Sequence, residues 1–304
     1  MTSPNNTTRA ILVITLAVAA LALGDALIKL SSGAISLWQM FILRSALVLP
    51  VLLALMALFA RSAFALRHPG WTGLRSLVLV AMWVAYYAAL PHVPLSVAAA
   101  GYYTSPLFIT LFGALATRSP VAPRHWLAVA IGFAGVLLIL KPTASGLLAY
   151  ALLPLLAAML YAVAMLMTGT RCRGEHPLML SAVLNVAFIL AGGFAFGLLP
   201  APTGTPAPFT AAWTALDAAD WRTIAVLATA ILIGSIGAAY AYQNGPPAVI
   251  GTLDFTYVGF SALWGWLIFT ERPDALSSLG IALIVGAGLL AISRPAPKPA
   301  PPRT

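Results

Sequence analysis

The sequence predicts an all-α polytopic membrane protein whose ten transmembrane helices form two inverted five-helix repeats. Three observations predict it. Of 304 residues, 61% are hydrophobic and only 8% charged, about a third of the charge with which an average soluble protein clothes its surface. Mean hydropathy is +0.97, and most of the chain lies in apolar runs of about 20 residues, the length a helix needs to cross the hydrocarbon. The second half also repeats the first in a single register. The runs are continuously apolar and far longer than the roughly 10-residue alternating strand of a membrane barrel. Helices are then the way left to satisfy the backbone in hydrocarbon.

Proline, glycine and charged residues punctuate the chain into its spans. The first, near 10–31, follows Arg9 and stops at the small residues from Ser31 to Ala34. It exceeds a typical signal-peptide core, and its loss would spoil the repeat, so it is expected to stay in the mature protein. The second, near 37–60, holds Arg44 and Pro50; the third, near 71–91, ends in a short link through Pro94; the fourth, near 95–117, contains Pro106. The fifth, near 124–140, carries Gly132 and Gly135, and the sixth, near 146–170, carries Pro154. The seventh lies near 177–199, and the one long connection runs from Pro200 to Trp221. The eighth, near 222–243, the ninth, near 248–270, and the tenth, near 275–293, follow, with Gly245, Pro246 and Pro247 breaking the backbone between the eighth and ninth. Pro50, Pro106 and Pro154 are expected to kink or break their spans.

Arginine placement sets the orientation. With a cytoplasmic N-terminus, Arg9, Arg61, Arg67, Arg75, Arg118, Arg124, Arg171, Arg173, Arg294, Lys298 and Arg303 fall inside, and only Lys29, Lys141, Arg222 and Arg272 lie at or near the outer side. The chain is therefore expected to be a multi-pass protein of the bacterial inner membrane, with both termini cytoplasmic. Residues 1–9 form the N-terminal tail, and the proline-rich residues 294–304 a disordered C-terminal one.

Sliding the chain so that Tyr87 falls on Tyr240 also brings Pro94 onto Pro247, Thr117 onto Thr270, Pro120 onto Pro273 and Ile131 onto Ile284. The pair Ala134–Gly135 falls on Ala287–Gly288. Each copy has an odd number of spans, so the second crosses the membrane upside down relative to the first. Arg118 then lies in a cytoplasmic loop, and its repeat partner Glu271 falls outside. The repeats are placed at 10–141 and 146–293. Halves that rock about a midplane site are the physical basis of alternating access.

Arg44 in the second span, the Pro94 link, Pro106 within the fourth span, and Glu271 followed by Gly280 and Gly288 resemble the two EamA-type repeats of the drug/metabolite transporter superfamily. The likeness covers about residues 10–293 and is nearest to bacterial exporters of the YddG type, which move aromatic and other neutral amino acids. It implies a central cavity lined by the first four helices of each repeat, with the fifth and tenth at the periphery. Arg118 stands where many relatives carry an acidic residue, so no coupling role is assigned there.

A charge near the centre of a span costs about 2.5–3.5 kcal/mol on insertion scales and persists only with a partner or water. Asp254 reads either as a cavity carboxylate, binding an ammonium group or a proton, or as a cap beside the broken helix start; Tyr257 and Ser261 share its face. Asp25 and Lys29 stand one turn apart, as a self-neutralising pair or with Lys29 facing the cavity mouth towards a substrate carboxylate. Arg44 is expected to bond neighbouring carbonyls or Asp25 rather than touch substrate. These four are the candidate cavity or coupling charges. Trp83 and Tyr87 share a helical face near mid-span, where they could stack on a planar substrate. With Tyr86, Tyr102, Asp254 and Tyr257 they make up the candidate substrate-binding set, and only one of Tyr102 and Tyr103 is expected to line a cavity.

The net charge of +9 is spread singly or in pairs between apolar segments, so it argues for loop placement and against nucleic acid. The lone Cys172 excludes an intramolecular disulfide, and His68, His92, His125 and His176 lack metal-ligand spacing. None of Lys29, Lys141 and Lys298 stands in a phosphate-binding loop. No catalytic residue, metal or cofactor is expected, and no enzyme or channel pattern is evident. The sequence is expected to encode a secondary carrier exporting aromatic and other neutral amino acids, with other metabolite carriers and a membrane-embedded enzyme or scaffold as alternatives. Its partners are the small-molecule substrate and the bilayer. Glycines of the fifth and tenth spans are expected to pack within a monomer, or less readily to form a weak homodimer.

Overall fold

The computed structural model describes residues 4–117, 123–140, 148–198, 213–244, 253 and 255–292, and among them there are helices and no strand. In chain order these are α1 (Pro4–Ser31), α2 (Leu37–Phe59), α3 (Pro69–Ala89), α4 (Leu95–Tyr102), α5 (Ser105–Thr117), α6 (Pro123–Leu140), α7 (Leu148–Thr170), α8 (Pro177–Leu198), α9 (Ala218–Asn244), α10 (Thr256–Phe269) and α11 (Ala275–Ile292). A short 3-10 turn, Arg61–Phe64, follows α2. Seven of the helical segments are long and apolar enough to cross a membrane, and three shorter apolar helices accompany them. The protein is thus an all-helical polytopic membrane protein.

Local chemistry places the helix ends. Ser36 accepts the Gln39 N–H at 3.2 Å to start α2, and Pro69, Pro123 and Pro177 open their helices where no N–H is needed. Asp217 takes the N–H groups of Ala219 and Asp220 at 2.7 and 2.8 Å while Asp220 accepts from the Asp217 N–H, a reciprocal cap for α9. Buried Gln39 clasps the strand of chain leading to that cap: its Nε2 donates to the Thr214 carbonyl at 2.8 Å, and its Oε1 accepts from the Thr214 N–H at 3.0 Å.

Two expectations change, for the start of α1 and for Pro50 and Pro154, and the break expected at Pro106 is present. α1 begins at Pro4, so residues 4–9 of the expected tail are helical; extending an existing helix is far easier than nucleating one, and hydropathy marks only the part inside the bilayer. The fourth span is two helices, because Pro106 has no N–H to give the carbonyl four residues back. The chain tightens there, with Thr104 N–H on the Gly101 carbonyl and Leu107 N–H on the Thr104 carbonyl. Pro50 and Pro154, by contrast, lie inside continuous helices. Residues 1–3, the C-terminal tail, Arg118 and Asp254 lie outside the described residues.

α1 packs on α9 and α3 on α7; α2 packs on α8, α6 on α11, and α4 on α10. Replacing each span by the one five places later returns the same set of pairs, the exchange symmetry that two copies of one unit produce. Glycine allows the closest approaches. A Cβ at Gly135 of α6 would sit 2.7 Å from the Gly280 carbonyl oxygen of α11, and one at Gly237 of α9 would sit 3.0 Å from Ala17 of α1. Gly135 and Gly280 therefore close an interface within one chain. Side chains such as Leu12, Leu58, Phe59, Phe133 and Phe194 point outward, towards the acyl chains.

Candidate functional site

Asp25 sits six residues before the end of α1 and is 4% exposed. A carboxylate so deep in an apolar bundle needs donors, and the Tyr257 hydroxyl of α10 donates to its Oδ2. The Tyr86 hydroxyl of α3 lies 3.5 Å from that of Tyr257. Arg44 of α2, 3% exposed, comes in from the other side. Its guanidinium carbon lies 4.5 Å from the Phe188 ring centre and 5.4 Å from that of Phe41, an attraction of the cation for the ring faces. Tyr87 and Asp25 are its polar neighbours, and its Nε has no hydrogen-bond partner. Four helices from both halves thus converge on one buried carboxylate and one buried cation.

Towards the bundle interior the aromatic residues join this cluster. Trp83 stacks on Tyr87 at 5.0 Å between ring centres and reaches Tyr102 at 6.5 Å. Tyr102 lies 5.5 Å from Tyr86 and 5.4 Å from Tyr161 of α7. Tyr103 stacks on Tyr257 at 5.0 Å and touches Phe255 at 5.3 Å. Flat faces and phenolic hydroxyls from α3, α4, α7 and α10 are thereby presented at the meeting of the two halves, chemistry suited to a planar molecule with polar edges. A small pocket bordered by Ile28, Ser32, Ile35, Leu37, Met40 and Tyr87 lies near the end of α1.

That end is fastened by a charge pair. Lys29 Nζ lies 2.5 Å from Glu271 Oε1 and donates to the Val93 carbonyl at 2.6 Å. Glu271 Oε2 accepts the Leu95 N–H at 2.8 Å, so the carboxylate joins the end of α1, the start of α4 and the turn after α10. Local backbone aims it: Thr270 adopts a left-handed φ of 54°, and the Glu271 N–H returns to the Gly265 carbonyl at 3.1 Å, a Schellman-type stop. Gly265 also leaves room, since a Cβ there would lie 2.8 Å from Glu271 Oε2.

Of the expected site residues, the structure brings together Trp83, Tyr86, Tyr87, Tyr102, Tyr257, Asp25 and Arg44. It does not pair Asp25 with Lys29: the two turn to different partners on the second half, Tyr257 and Glu271. Arg44 lies over the Phe188 and Phe41 rings with Asp25, one of its expected partners, and Tyr87 as polar neighbours. Tyr102 and Tyr103 both take part, their rings 5.8 Å apart at 80°. Asp254 is outside the described residues; Ser261, on its face of the span, is buried. Sequence reasoning passed over Tyr161, Phe188 and Glu271 as site members. For Glu271 a signal existed, since it was expected on the same membrane side as Lys29.

Residues 8–141 match the model of the EamA-like transporter family. The chain is similar to a riboflavin transporter of Rhizobium johnstonii, 33% identical over 73% of this chain and 70% of that protein. It is also similar to a riboflavin transporter of Brucella anthropi, 28% identical over 84% and 86% of the two chains, and to the pseudopaline exporter CntI of Pseudomonas aeruginosa, 28% identical over 89% and 90%. A crystal structure with 20% sequence identity superposes with a TM-score of 0.62 over 95% of this chain and 98% of the other, a likeness of fold. These relatives are named for riboflavin and pseudopaline, which corrects the expected nearness to aromatic amino-acid exporters. The broader resemblance holds: this chain belongs to the EamA-like transporter family and is a multi-pass membrane transporter.

Proposed function

We propose that the protein is a secondary carrier of small planar aromatic metabolites of the riboflavin kind, working by alternating access in the bacterial inner membrane with both termini cytoplasmic. One observation carries this reading: Trp83, Tyr86, Tyr87, Tyr102, Tyr103, Tyr161 and Tyr257 form one connected aromatic cluster from both halves, which meets buried Asp25 through Tyr257 and Tyr86. The halves are the inverted repeats 10–141 and 146–293, and the Lys29–Glu271 pair closes the outer end between them. Two relatives named as riboflavin transporters support the cargo class. A second reading, outward movement of amino-acid-like cargo, is favoured by likeness to the pseudopaline exporter over 89% of the chain and by Asp25 as a partner for an ammonium group.

The test is flux into vesicles containing the purified protein, using labelled riboflavin, phenylalanine, tryptophan and threonine. Riboflavin flux above that of empty vesicles is expected. Flux of amino acids alone would transfer the assignment to the second reading, and flux of none would remove both.

Asp25 is the proposed coupling group, alongside Asp254. Tyr257, Tyr86, Tyr87 and Arg44 face it from α10, α3 and α2, and replacing its donor on α10 requires the halves to move. Asp25→Asn is expected to abolish the response of flux to an imposed pH gradient while the protein remains folded. An unchanged response would exclude Asp25 as the proton carrier.

A further inference from the structure

A second buried arginine lies outside the cluster just described. Arg75 of α3 is 9% exposed; its Nε donates to Thr168 Oγ1 of α7 at 2.6 Å, and its Nη1 is buried without any partner. The Thr168 hydroxyl is itself anchored, donating to the Ala164 carbonyl at 2.7 Å. The ionisable side chains bearing on Arg75 are Cys172 and Tyr161. Glu175 gives Oε1 to the Arg67 and His68 N–H groups at 2.8 and 2.6 Å, and its Oε2, like Arg75 Nη1, is buried without a partner. An arginine that merely snorkels to headgroups extends its charge into water, whereas this one is turned inward and held by a side chain of the opposite half. Arg44 has Asp25 and two aromatic rings to offset its charge; Arg75 has no comparable partner among the described residues.

Its position relates it to the aromatic site. Arg75, Met82 and Tyr86 share one face of α3, and Thr168 stands seven residues after Tyr161 on one face of α7. Tyr161 touches Tyr102, so the Arg75–Thr168 pair lies two turns along α7 from the aromatic faces, about 10 Å. A guanidinium with a free N–H is built to meet the oxygens of a carboxylate or phosphate.

We propose that Arg75 and Thr168 form an anion subsite in line with the aromatic ring, and that the preferred cargo is a planar aromatic metabolite with a carboxylate or phosphate about 10 Å from its flat part. The proposal rests on the aromatic ring being the cargo site. Riboflavin and its 5′-phosphate make a matched probe pair, with the same flat ring and with or without the anion. They are titrated by flavin fluorescence against the full-length protein in phosphatidylcholine nanodiscs.

The phosphate is expected to bind at least tenfold more tightly than riboflavin. Arg75→Gln should weaken phosphate binding at least tenfold and riboflavin binding less than twofold; Arg75→Lys should keep most of the preference, and Thr168→Val should lose part of it. Equal weakening of both probes, or no preference in the unaltered protein, overturns the subsite while leaving the aromatic site standing. Binding of neither probe removes the aromatic site for flavins as well. Repeating the titration with phosphatidylglycerol present separates cargo from lipid. A preference that disappears there, with phosphatidylglycerol co-purifying with the unaltered protein but not with Arg75→Gln, would make this a headgroup site and overturn the cargo assignment.

Discussion

Thr270 holds a left-handed backbone conformation that β-branched residues rarely adopt. The conformation costs an L-residue roughly 1–2 kcal/mol, and here it turns the chain so that Glu271 reaches Lys29. Glycine would relieve that strain at a cost of about 0.5–1 kcal/mol in backbone entropy. Thr270→Gly is therefore expected to stabilise the protein by about 0.5 kcal/mol, read as a small rise in Tm in detergent with flux unchanged; a fall in Tm would show that the threonine side chain contributes more than its strain costs. At this scale the sequence revealed which side chains cluster better than it revealed their partners. The face shared by Trp83 and Tyr87 was legible from helical spacing, and their rings stack. Of the two readings of Asp25 and Lys29, mutual pairing was visible because neighbours along a helix can be read from a sequence, whereas their actual partners Tyr257 and Glu271, more than 200 residues away, become neighbours only through folding.

Among the elements, span positions were legible because hydrocarbon thickness fixes the length of each apolar run. The ends of α2, α7, α8 and α11 fall within about two residues of their expected limits. The fates of the prolines were not legible: Pro106 splits its span, whereas Pro154 lies in a continuous α7, with its ring against Gly101. What decides is whether neighbouring backbone can bend, which depends on packing. The glycines of α6 and α11 follow the same logic. Because a methyl group at Gly135 would meet the backbone oxygen of Gly280 at 2.7 Å, the two helices would have to separate. Gly135→Ala is expected to destabilise the protein by about 1–3 kcal/mol, measured as a lower Tm in detergent. Gly286 meets nothing within 4 Å, so Gly286→Ala should leave Tm nearly unchanged. Equal effects of the two substitutions would contradict the assigned interface.

For the whole molecule, the internal repeat was the most informative sequence feature, since it predicts which helices exchange roles, and the packing pairs obey that exchange. The sequence did not reveal how the ends are fastened. Lys29 and Glu271 are both half-buried and join helices of opposite halves; removing one partner from such a pair costs about 1–3 kcal/mol, between the exposed and fully buried limits. Lys29→Gln is expected to shift the population towards conformations open at that end. A cysteine placed at Ser32, on the neighbouring pocket, should then react faster with a membrane-impermeant maleimide added from the outer side. An unchanged labelling rate would show that the pair does not restrain opening. In the proposed alternating-access cycle that contact dissociates and re-forms at each turnover. Salt weakens a partly hydrated ion pair, so in the proposed cycle the ionic strength on the Lys29 side of the membrane is expected to modulate turnover.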